Sequence, residues 1–424
     1  MRPPRRRVPD ENTAVVAPIG TPCDAATIGG RKELVKRPTS TIDDRAVRRR
    51  PTERRQQIIR EAAQLFAEHG FGNVTMAQIA AAVGITAGAL YRHFAGKTEL
   101  LASVLMTWFD NISPVRDRDA ALEQILTRRA ENAVSMPSLG VLWSRESRHL
   151  PTADRAELLA RIREHHAVYQ SALQRERAML AEDDASMMAW AIQSVLSSPT
   201  TRLRGIDHDQ YVELLRRAAL NLSYLPLPPN PAGPPPTSST IMPASRRESL
   251  LLIAEQLFAE RGFDNTTLAQ IGFAGGATGP SLYTHFDSKS SILDEILTRG
   301  GSVLWVELSE ALREAEAVED ALQKVVRAYV RRANLRPTLI TIIVTENDRL
   351  KPEQRRSQHA YLEEWVALLT QSQDRPDTAQ AHALVRAALR TINDLARTPG
   401  VVRQPAFVDR VTTTAMSILR TAAR

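Results

Sequence analysis

The segment "TMAQIAAAVGITAGALYRHFAGKTELL", from Thr75 to Leu101, decides the fold of this chain. Thr75 is followed three residues later by Gln78, which is a capping box, so a helix is predicted to begin there. Gly84 interrupts the helical pattern, and Thr86 is a suitable cap for a second helix that begins "AGALYRHF". Two short helices joined by a tight glycine turn predict a helix-turn-helix.

In a DNA-binding helix-turn-helix the second helix enters the major groove and leads with its N-terminal residues. Here the leading residues are small, which lets the backbone come close to the bases, and polar or aromatic residues follow within reach of base edges or phosphates. Lys97 is expected to add a cation and a helix N-terminus for a phosphate. Leu90 and Phe94 are expected to hold the second helix against the core. The predicted DNA-binding residues are Thr75, Thr86, Ala87, Gly88, Ala89, Tyr91, Arg92, His93 and Lys97.

The same pattern returns 192 residues later in the chain. Residues 65–105 align without a gap with residues 257–297, with 21 identities in 41 positions. "YVELLRRAALNL" (211–222) also aligns with "FVDRVTTTAMSI" (407–418), so the whole unit is duplicated. The DNA-binding residues predicted for the second copy are Thr267, Thr278, Gly279, Pro280, Ser281, Tyr283, Thr284, His285 and Lys289.

The second copy departs from the first at several positions. Gly275 and Ala277 stand where the first copy has branched side chains, and Phe273 is expected to refill the space. Pro280 and Thr284 replace a glycine and an arginine of the first copy. We therefore expect a second head that docks more weakly and reads different bases, and a head kept only as a structural half remains an alternative.

The domain boundaries follow from composition. Proline-rich "LPLPPNPAGPPPTSST" (225–240) favours extended polyproline conformation and predicts a spacer. Ser245 with Glu248 predicts a capping box at the first helix after it. Alternating strand patterns are missing, so the predicted fold is all-α, each unit being a helix-turn-helix head followed by a helical body. The predicted segments are a disordered basic arm (1–47), a first unit (48–225, head 52–105), a proline-rich linker (226–243) and a second unit (244–424, head 245–297).

The formal net charge of +7 is unevenly distributed. Residues 1–60 contain 15 Lys and Arg against 7 Asp and Glu, whereas the remainder is close to neutral. Such an arm either lies along a polyanion or is a solvated tail. The single cysteine, Cys23, cannot form an intrachain disulfide, and neither a signal peptide nor a membrane span is predicted, so a cytoplasmic protein without a membrane partner is expected.

Catalytic and metal-binding patterns are missing from the sequence. We find no phosphate-binding glycine loop, nucleophile elbow or metal-ligand spacing, so neither an enzyme nor a cofactor is predicted. The adjacent residues His165 and His166 point in different directions on a helix and are expected at the surface rather than at a metal.

The quoted segment and its counterpart "TLAQIGFAGGATGPSLYTHFDSKSSIL" resemble the DNA-binding heads of the TetR/AcrR family of bacterial transcriptional regulators. The tandem arrangement resembles the double-TetR regulators of actinobacteria. The resemblance implies an all-helical fold, an operator-binding head, and a body that binds a small effector and forms a two-subunit four-helix interface.

These observations together predict a one-component transcriptional repressor whose partners are a double-stranded DNA operator and a small apolar effector. One chain would supply both heads as an intrachain pseudo-dimer through "MMAWAIQSVLSS" and "HALVRAALRTIN", with a homodimer as the alternative. A ligand-sensing or interaction protein with one or both heads degenerate is the rival hypothesis. Candidate effector-binding residues, which are equally explained as core, are Trp143, Tyr169, Trp190, Tyr329 and Trp365.

Overall fold

The computed structural model describes residues 51–111, 119–137, 139–200, 203–231, 241–276, 283–372 and 376–421. Within these ranges the chain forms α-helices and two 3-10 turns and no strand, so the predicted all-α class is confirmed. The arm (1–47) and residues 232–240 of the linker lie outside the described residues. No helix in the described ranges is both long enough and apolar enough to cross a membrane.

The first half contains nine helices within its described ranges. They are α1 (Pro51–His69), α2 (Met76–Val83), α3 (Ala87–Tyr91), α4 (Lys97–Asn111), α5 (Leu122–Ser135), α6 (Leu139–Glu146), α7 (Thr152–Glu176), α8 (Glu182–Val195) and α9 (His208–Ser223). A 3-10 turn, Ser147–His149, joins α6 to α7.

The described helices of the second half follow the same order with two differences. They are α10 (Arg246–Arg261), α11 (Leu268–Ala274), α12 (Lys289–Glu314), α13 (Val318–Leu335), α14 (Pro337–Thr345), α15 (Pro352–Gln371), α16 (Thr378–Ala396), α17 (Pro399–Val402) and α18 (Phe407–Leu419). None of them corresponds to α3, and α17 has no counterpart among the described helices of the first half. The 3-10 turn Asn347–Arg349 follows α14, as the turn Ser147–His149 follows α6.

Local sequence accounts for several helix boundaries. Gly70 follows the last residue of α1 and has a φ of 80°. A residue in this left-handed conformation cannot continue a helix, so α1 ends there. Asp207 caps α9 together with Gln210, and Asp377 caps α16 through the N–H of Gln380. The capping box predicted at Ser245 is wrong: the Ser245 side chain makes no cap hydrogen bond, and the carboxylate of Glu248 is bonded to Arg299 instead.

Buried apolar side chains form one core in each head and one large core shared by the two bodies. The first of these cores is formed by α1, α2 and α4 with side chains from α6 and α7, and the second by α10, α11 and α12 with side chains from α14. The third core contains residues of α8 and α9 together with residues of α16 and α18. Helix α8 packs on α16 and α9 packs on α18, so four helices from both halves share one interior. The two segments named above for this contact lie on α8 and α16.

The beginning of the proline-rich segment packs against the body rather than standing away from it. Leu225 and Leu227 contact the shared core. Arg410 of α18, which is 1% exposed, donates from Nη1 to the carbonyl of Pro228 at 3.0 Å and from Nη2 to Asp184 of α8 at 2.5 Å. The described beginning of the proline-rich segment is thus attached to the body, and the predicted linker and its boundaries stay a prediction.

The two adjacent histidines are buried, so their predicted surface location is wrong. His165 lies 5.2 Å from the ring of Phe109, centroid to centroid. His166 stacks on Trp190 at 4.3 Å and bonds the carbonyl of Ser186. Their side chains do point in different directions, as predicted, and the described part of the chain contains no group of three or more His, Cys, Asp or Glu placed to hold a metal ion.

Candidate nucleic-acid interface

The first head forms the predicted pair of short helices. The Thr75 hydroxyl accepts the N–H of Gln78, and the Gln78 side chain accepts the N–H of Thr75, which completes the capping box of α2. Gly84 ends α2 with φ of 73° and ψ of 37°, a left-handed conformation that favours glycine. The Thr86 hydroxyl then accepts the N–H of Ala89 and starts α3. The hydroxyls of Thr75 and Thr86 both accept backbone N–H groups, so these two residues mark where α2 and α3 begin.

The small leading residues of α3 are accessible. Ala87 and Gly88 are exposed and Ala89 is partly so, and a Cβ placed on Gly88 would meet nothing within 4 Å. Tyr91 is 53% exposed and Arg92 is also exposed, at the C-terminal end of α3. This face is therefore free to approach another molecule along its whole length.

The opposite face of α3 is buried, as predicted. Leu90 and Phe94 are at most 1% exposed. The guanidinium of Arg55, from α1, lies 4.6 Å from the centroid of the Phe94 ring. His93, which precedes Phe94 in the chain, is half-buried. Helix α3 is thus held rigidly enough for its outer residues to keep a constant geometry.

Lys97 is used inside the head. Its ammonium group donates to the carbonyls of Phe71 and Val74 at 2.7 and 2.8 Å, and it lies 4.4 Å from the centroid of the Phe71 ring. Burial lowers the pKa of Lys97, and the charge of Glu146 opposes that shift. The residue predicted to bind a phosphate therefore holds the loop between α1 and α2, a role that the sequence pattern did not reveal. Its phosphate contact stays a prediction.

The second head repeats this framework. Thr267 caps α11 in a capping box with Gln270. Lys289 donates to the carbonyl of Phe263 at 2.6 Å and lies 4.1 Å from the centroid of that ring. Arg247 lies 4.7 Å from the centroid of Phe286, as Arg55 does from Phe94. The lysines thus have the same internal role in both copies.

Part of the second recognition segment lies outside the described residues, which stop at 276 and resume at 283. Tyr283 is 62% exposed, Thr284 is exposed and His285 is half-buried, as in the first head. The predicted DNA-binding residues that the structure does not describe are Thr278, Gly279, Pro280 and Ser281.

Phe273 does not refill the space left by the smaller residues of the second copy. It is 88% exposed at the C-terminal end of α11, so that expectation is wrong. Leu250 of α10, and not Phe273, packs closely against this place. A Cβ on Gly275 would lie 2.7 Å from a methyl carbon of Leu250, so the core has closed down onto the glycine.

Comparison with known proteins bears on these two heads. Residues 58–104 and 250–296 each match the family described as bacterial regulatory proteins, tetR family. The chain contains two tetR-family domains in tandem.

Individual relatives match over the heads. Over 64 residues the chain is 53% identical to the HTH-type transcriptional repressor KstR2 of Rhodococcus jostii (strain RHA1), covering 15% of this chain and 31% of that protein. Over 55 residues it is 46% identical to the KstR2 repressor of Mycolicibacterium smegmatis, covering 13% and 27%. The chain thus spans less than a third of the length of these relatives. The solved structure of the ketosteroid transcriptional regulator KstR2 of Mycobacterium tuberculosis gives a TM-score of 0.37 at 26% identity, covering 42% of this chain and 95% of that one.

Each tetR-family head is joined to the bodies through a buried glutamate. Glu146, the last residue of α6, accepts the backbone N–H of Phe71. Glu346, which follows α14, accepts the N–H of Phe263 at 3.0 Å. Burial raises the pKa of Glu146, and its ion pair with Arg145 opposes the shift. The phenylalanine loops bound by these glutamates are the same loops that the lysines hold.

The two head junctions also contact each other. Arg148 of the first half is bonded to Glu346 of the second, and its side chain would lie 3.2 Å from a Cβ on Gly262. In the reciprocal place, Asp348 would lie 2.9 Å from a Cβ on Gly70. Each head thus rests on a polar side chain from the other half. Sequence reasoning missed these residues because nothing in the local pattern relates positions so far apart.

The candidate effector residues divide between cavities and core. Trp143 and Trp190 line a cavity of about 370 Å³ between the halves. Tyr169 lines a much smaller one, about 30 Å³, within the first body. Tyr329 and Trp365 pack edge to face at 5.7 Å in the shared core and are at most 6% exposed, which is the alternative core role. An effector role for Tyr329 and Trp365 has no cavity to support it among those described here.

Proposed function

We propose that this chain is a DNA-binding transcriptional regulator, acting as a repressor, in which one chain supplies both heads to an operator. The exposed outer face of α3, carrying Tyr91 and Arg92 above a buried inner face, is the observation that most supports DNA binding. The named relatives that match the heads are transcriptional repressors, which supports the choice of repression.

The packing of the bodies supports an intrachain pseudo-dimer. Helices α8 and α9 share a core with α16 and α18 of the same chain. A single-unit protein needs a second chain to complete such a four-helix interface, and here the second half of the chain occupies that place. Two heads held on one rigid core suit two half-sites at a constant spacing.

The differences between the heads support an asymmetric operator. Arg92 is able to form two hydrogen bonds with a guanine in the major groove, whereas Thr284 at the equivalent place is shorter and neutral. Two unlike readers in one chain favour two unlike half-sites in one order, while a homodimer of identical heads favours a palindrome. The effector is proposed to be a small, largely apolar molecule whose binding favours the DNA-free arrangement of the heads.

The test combines a mobility shift on the DNA upstream of the chain's own gene with footprinting and light scattering of the complex. We expect one chain per operator, two unlike protected half-sites, and affinity that falls steeply with salt. Arg92→Ala should relax base preference in one half-site only. Two chains on a perfect palindrome, with both halves equally affected by Arg92→Ala, would contradict the pseudo-dimer. Binding that is weak and independent of salt would favour the rival, a ligand-sensing protein with degenerate heads.

A further inference from the structure

The cavity of about 370 Å³ lies between the two halves, directly below the second head. Its walls include Trp143 and Trp190 from the first half and Phe258 and Thr345 from the second. Phe258 lies in the last turns of α10, so an occupant of the cavity would touch the second head itself. The volume lies in the range that small-molecule sites use.

The place equivalent to this cavity in the first half is filled by arginine. Arg145 immediately precedes Glu146, and its Nη2 donates to the carbonyls of Phe66 and Ala67 at 2.7 and 3.1 Å. The residue that immediately precedes Glu346 is Thr345, whose short hydroxyl turns back to its own helix and bonds the carbonyl of Thr341. The C-terminal end of α10 therefore faces a cavity where the end of α1 faces a guanidinium.

A second difference between the halves likewise pairs an uncharged residue at the cavity with an arginine at the equivalent place. The segments that end in Pro199 and Pro399 align, which pairs Trp190 of α8 with Arg390 of α16. The Arg390 guanidinium lies 5.5 Å from the centroid of Trp143 and is bonded to Asp394 at 2.6 Å. The place equivalent to the cavity therefore has two arginines, Arg145 and Arg390. The corresponding residues at the cavity itself are Thr345 and Trp190.

The uncommitted groups of the lining indicate the chemistry of an occupant. Gln193 borders both this cavity and the smaller one lined by Tyr169, and its Oε1 is buried without a hydrogen-bond partner, so it is able to accept a donor. Arg155 is an exposed cation at the rim. The other two lining arginines are committed, Arg148 to Glu346 and Arg397 to Asp394. The lining also contains two carboxylates: Asp394, which is bonded to arginine, and the exposed Glu260, which accepts from the side-chain amide of Gln256. Indole, leucine and phenylalanine surfaces make up much of the remaining wall.

We propose that this cavity is a single small-molecule site for an amphipathic anion: an apolar, ring-sized body between the tryptophans, one hydrogen-bond donor to Gln193, and an anionic group at Arg155. Only the regulatory effect of this site rests on the proposed function, because a molecule bound here would be an effector in contact with the second head. Binding itself requires no DNA.

The probe is 8-anilinonaphthalene-1-sulfonate, which combines aromatic rings, one N–H donor and one sulfonate. Titrated into the full chain without DNA, it should show one saturable site per chain by fluorescence. Thr345→Arg copies the first-half arrangement and should weaken that binding at least tenfold. The matched control is Thr413→Arg, because Thr413 makes the same bond to a carbonyl four residues earlier in α18 and lies outside the cavity lining.

Two further variants test the chemistry. Gln193→Leu keeps the size of the side chain and should weaken binding severalfold. Arg155→Gln should weaken the sulfonate probe and leave the uncharged analogue N-phenyl-1-naphthylamine unaffected. Circular dichroism and thermal unfolding show whether each variant folds. If Thr345→Arg does not fold, the surface variant Arg155→Gln is used to test the site instead.

Unchanged binding in Thr345→Arg, equal loss in Thr413→Arg, or many weak sites per chain would overturn the site. Equal effects of Arg155→Gln on both probes would overturn the anionic group. These outcomes are independent of the mobility shift, so a failure here leaves the proposed DNA binding standing, and failure of DNA binding leaves the cavity test standing.

Discussion

Arg148, in the first half of the chain, is hydrogen-bonded to Glu346, in the second half, and Glu346 has no exposed surface. The same carboxylate accepts the N–H of Phe263 in the second head and is also bonded to Arg349 at 3.1 Å. One buried charge therefore joins both halves to one head, and this contact lies beside the cavity described above.

Arg148→Ala should lower the free energy of unfolding by about 2–3 kcal/mol, because it leaves a buried carboxylate with one arginine instead of two. Adding Glu346→Gln should recover part of that loss, since the charge that needed compensation is gone. Urea unfolding of both single variants and the double variant measures the coupling. The control is Arg327→Ala, whose exposed pair with Asp409 should contribute less than about 1 kcal/mol. A similar, small effect for both arginines would contradict the role of Arg148.

Arg92→Ala should weaken operator binding and reduce the dependence on salt by about one unit, without changing stability, because the side chain is exposed beside α3. Mobility shifts at several salt concentrations measure both quantities. Arg403→Ala removes the same charge from an exposed place on the body and should leave the salt dependence unchanged. Equal effects from the two variants would indicate a general effect of net charge rather than a contact.

Lys97→Met should act mainly through stability. Removing the ammonium leaves the carbonyls of Phe71 and Val74 without their donor and removes the cation from the Phe71 ring, at a cost of about 1–3 kcal/mol. DNA binding should fall with the folded fraction of the first head and recover on cooling. Lys289→Met is the matched variant in the second head. If Lys97→Met keeps full stability and lowers the salt dependence by about one unit, the residue instead contacts a phosphate, as the sequence predicted.

The free energy of unfolding should decrease as the pH is lowered, at pH values well above those at which carboxylates titrate. Burial, assisted by the charges of Arg129 and Arg161, lowers the pKa of His165 to about 3. An unfolded chain protonates this histidine near its usual value of about 6.5, so between the two values the unfolded state binds the extra proton. Stability therefore rises with pH across that window, and moving from pH 6.5 to 5 should cost about 2 kcal/mol for this residue.

The measurement is the urea midpoint at several pH values for the wild type and for His165→Leu. The variant should have the flatter profile between pH 5 and 7, whatever its absolute stability. His359→Leu, which replaces an exposed histidine, should keep the wild-type profile. Parallel profiles for the wild type and His165→Leu would show that the histidine is not the group responsible.

The sequence predicted the parts of the fold that depend on neighbours in the chain. The capping box at Thr75, the glycine that ends α2 and the cap at Thr86 each involve groups at most four residues apart, so residue type and spacing are sufficient to place them. The duplication followed from direct comparison of the two copies. The all-α class followed from the same helical spacing of apolar residues.

The roles that involve distant partners came only from the tertiary structure. Lys97 bonds carbonyls more than twenty residues away, and Arg148 meets a carboxylate 198 residues away. The exposure of Phe273, the burial of His165 and the cavity beside Thr345 likewise depend on which helix packs against which. Local sequence determines where a helix begins and ends, because those hydrogen bonds close within one turn. Which long side chain reaches a buried carbonyl or carboxylate is decided by the packing of whole helices, because that packing brings together groups that the chain itself keeps apart.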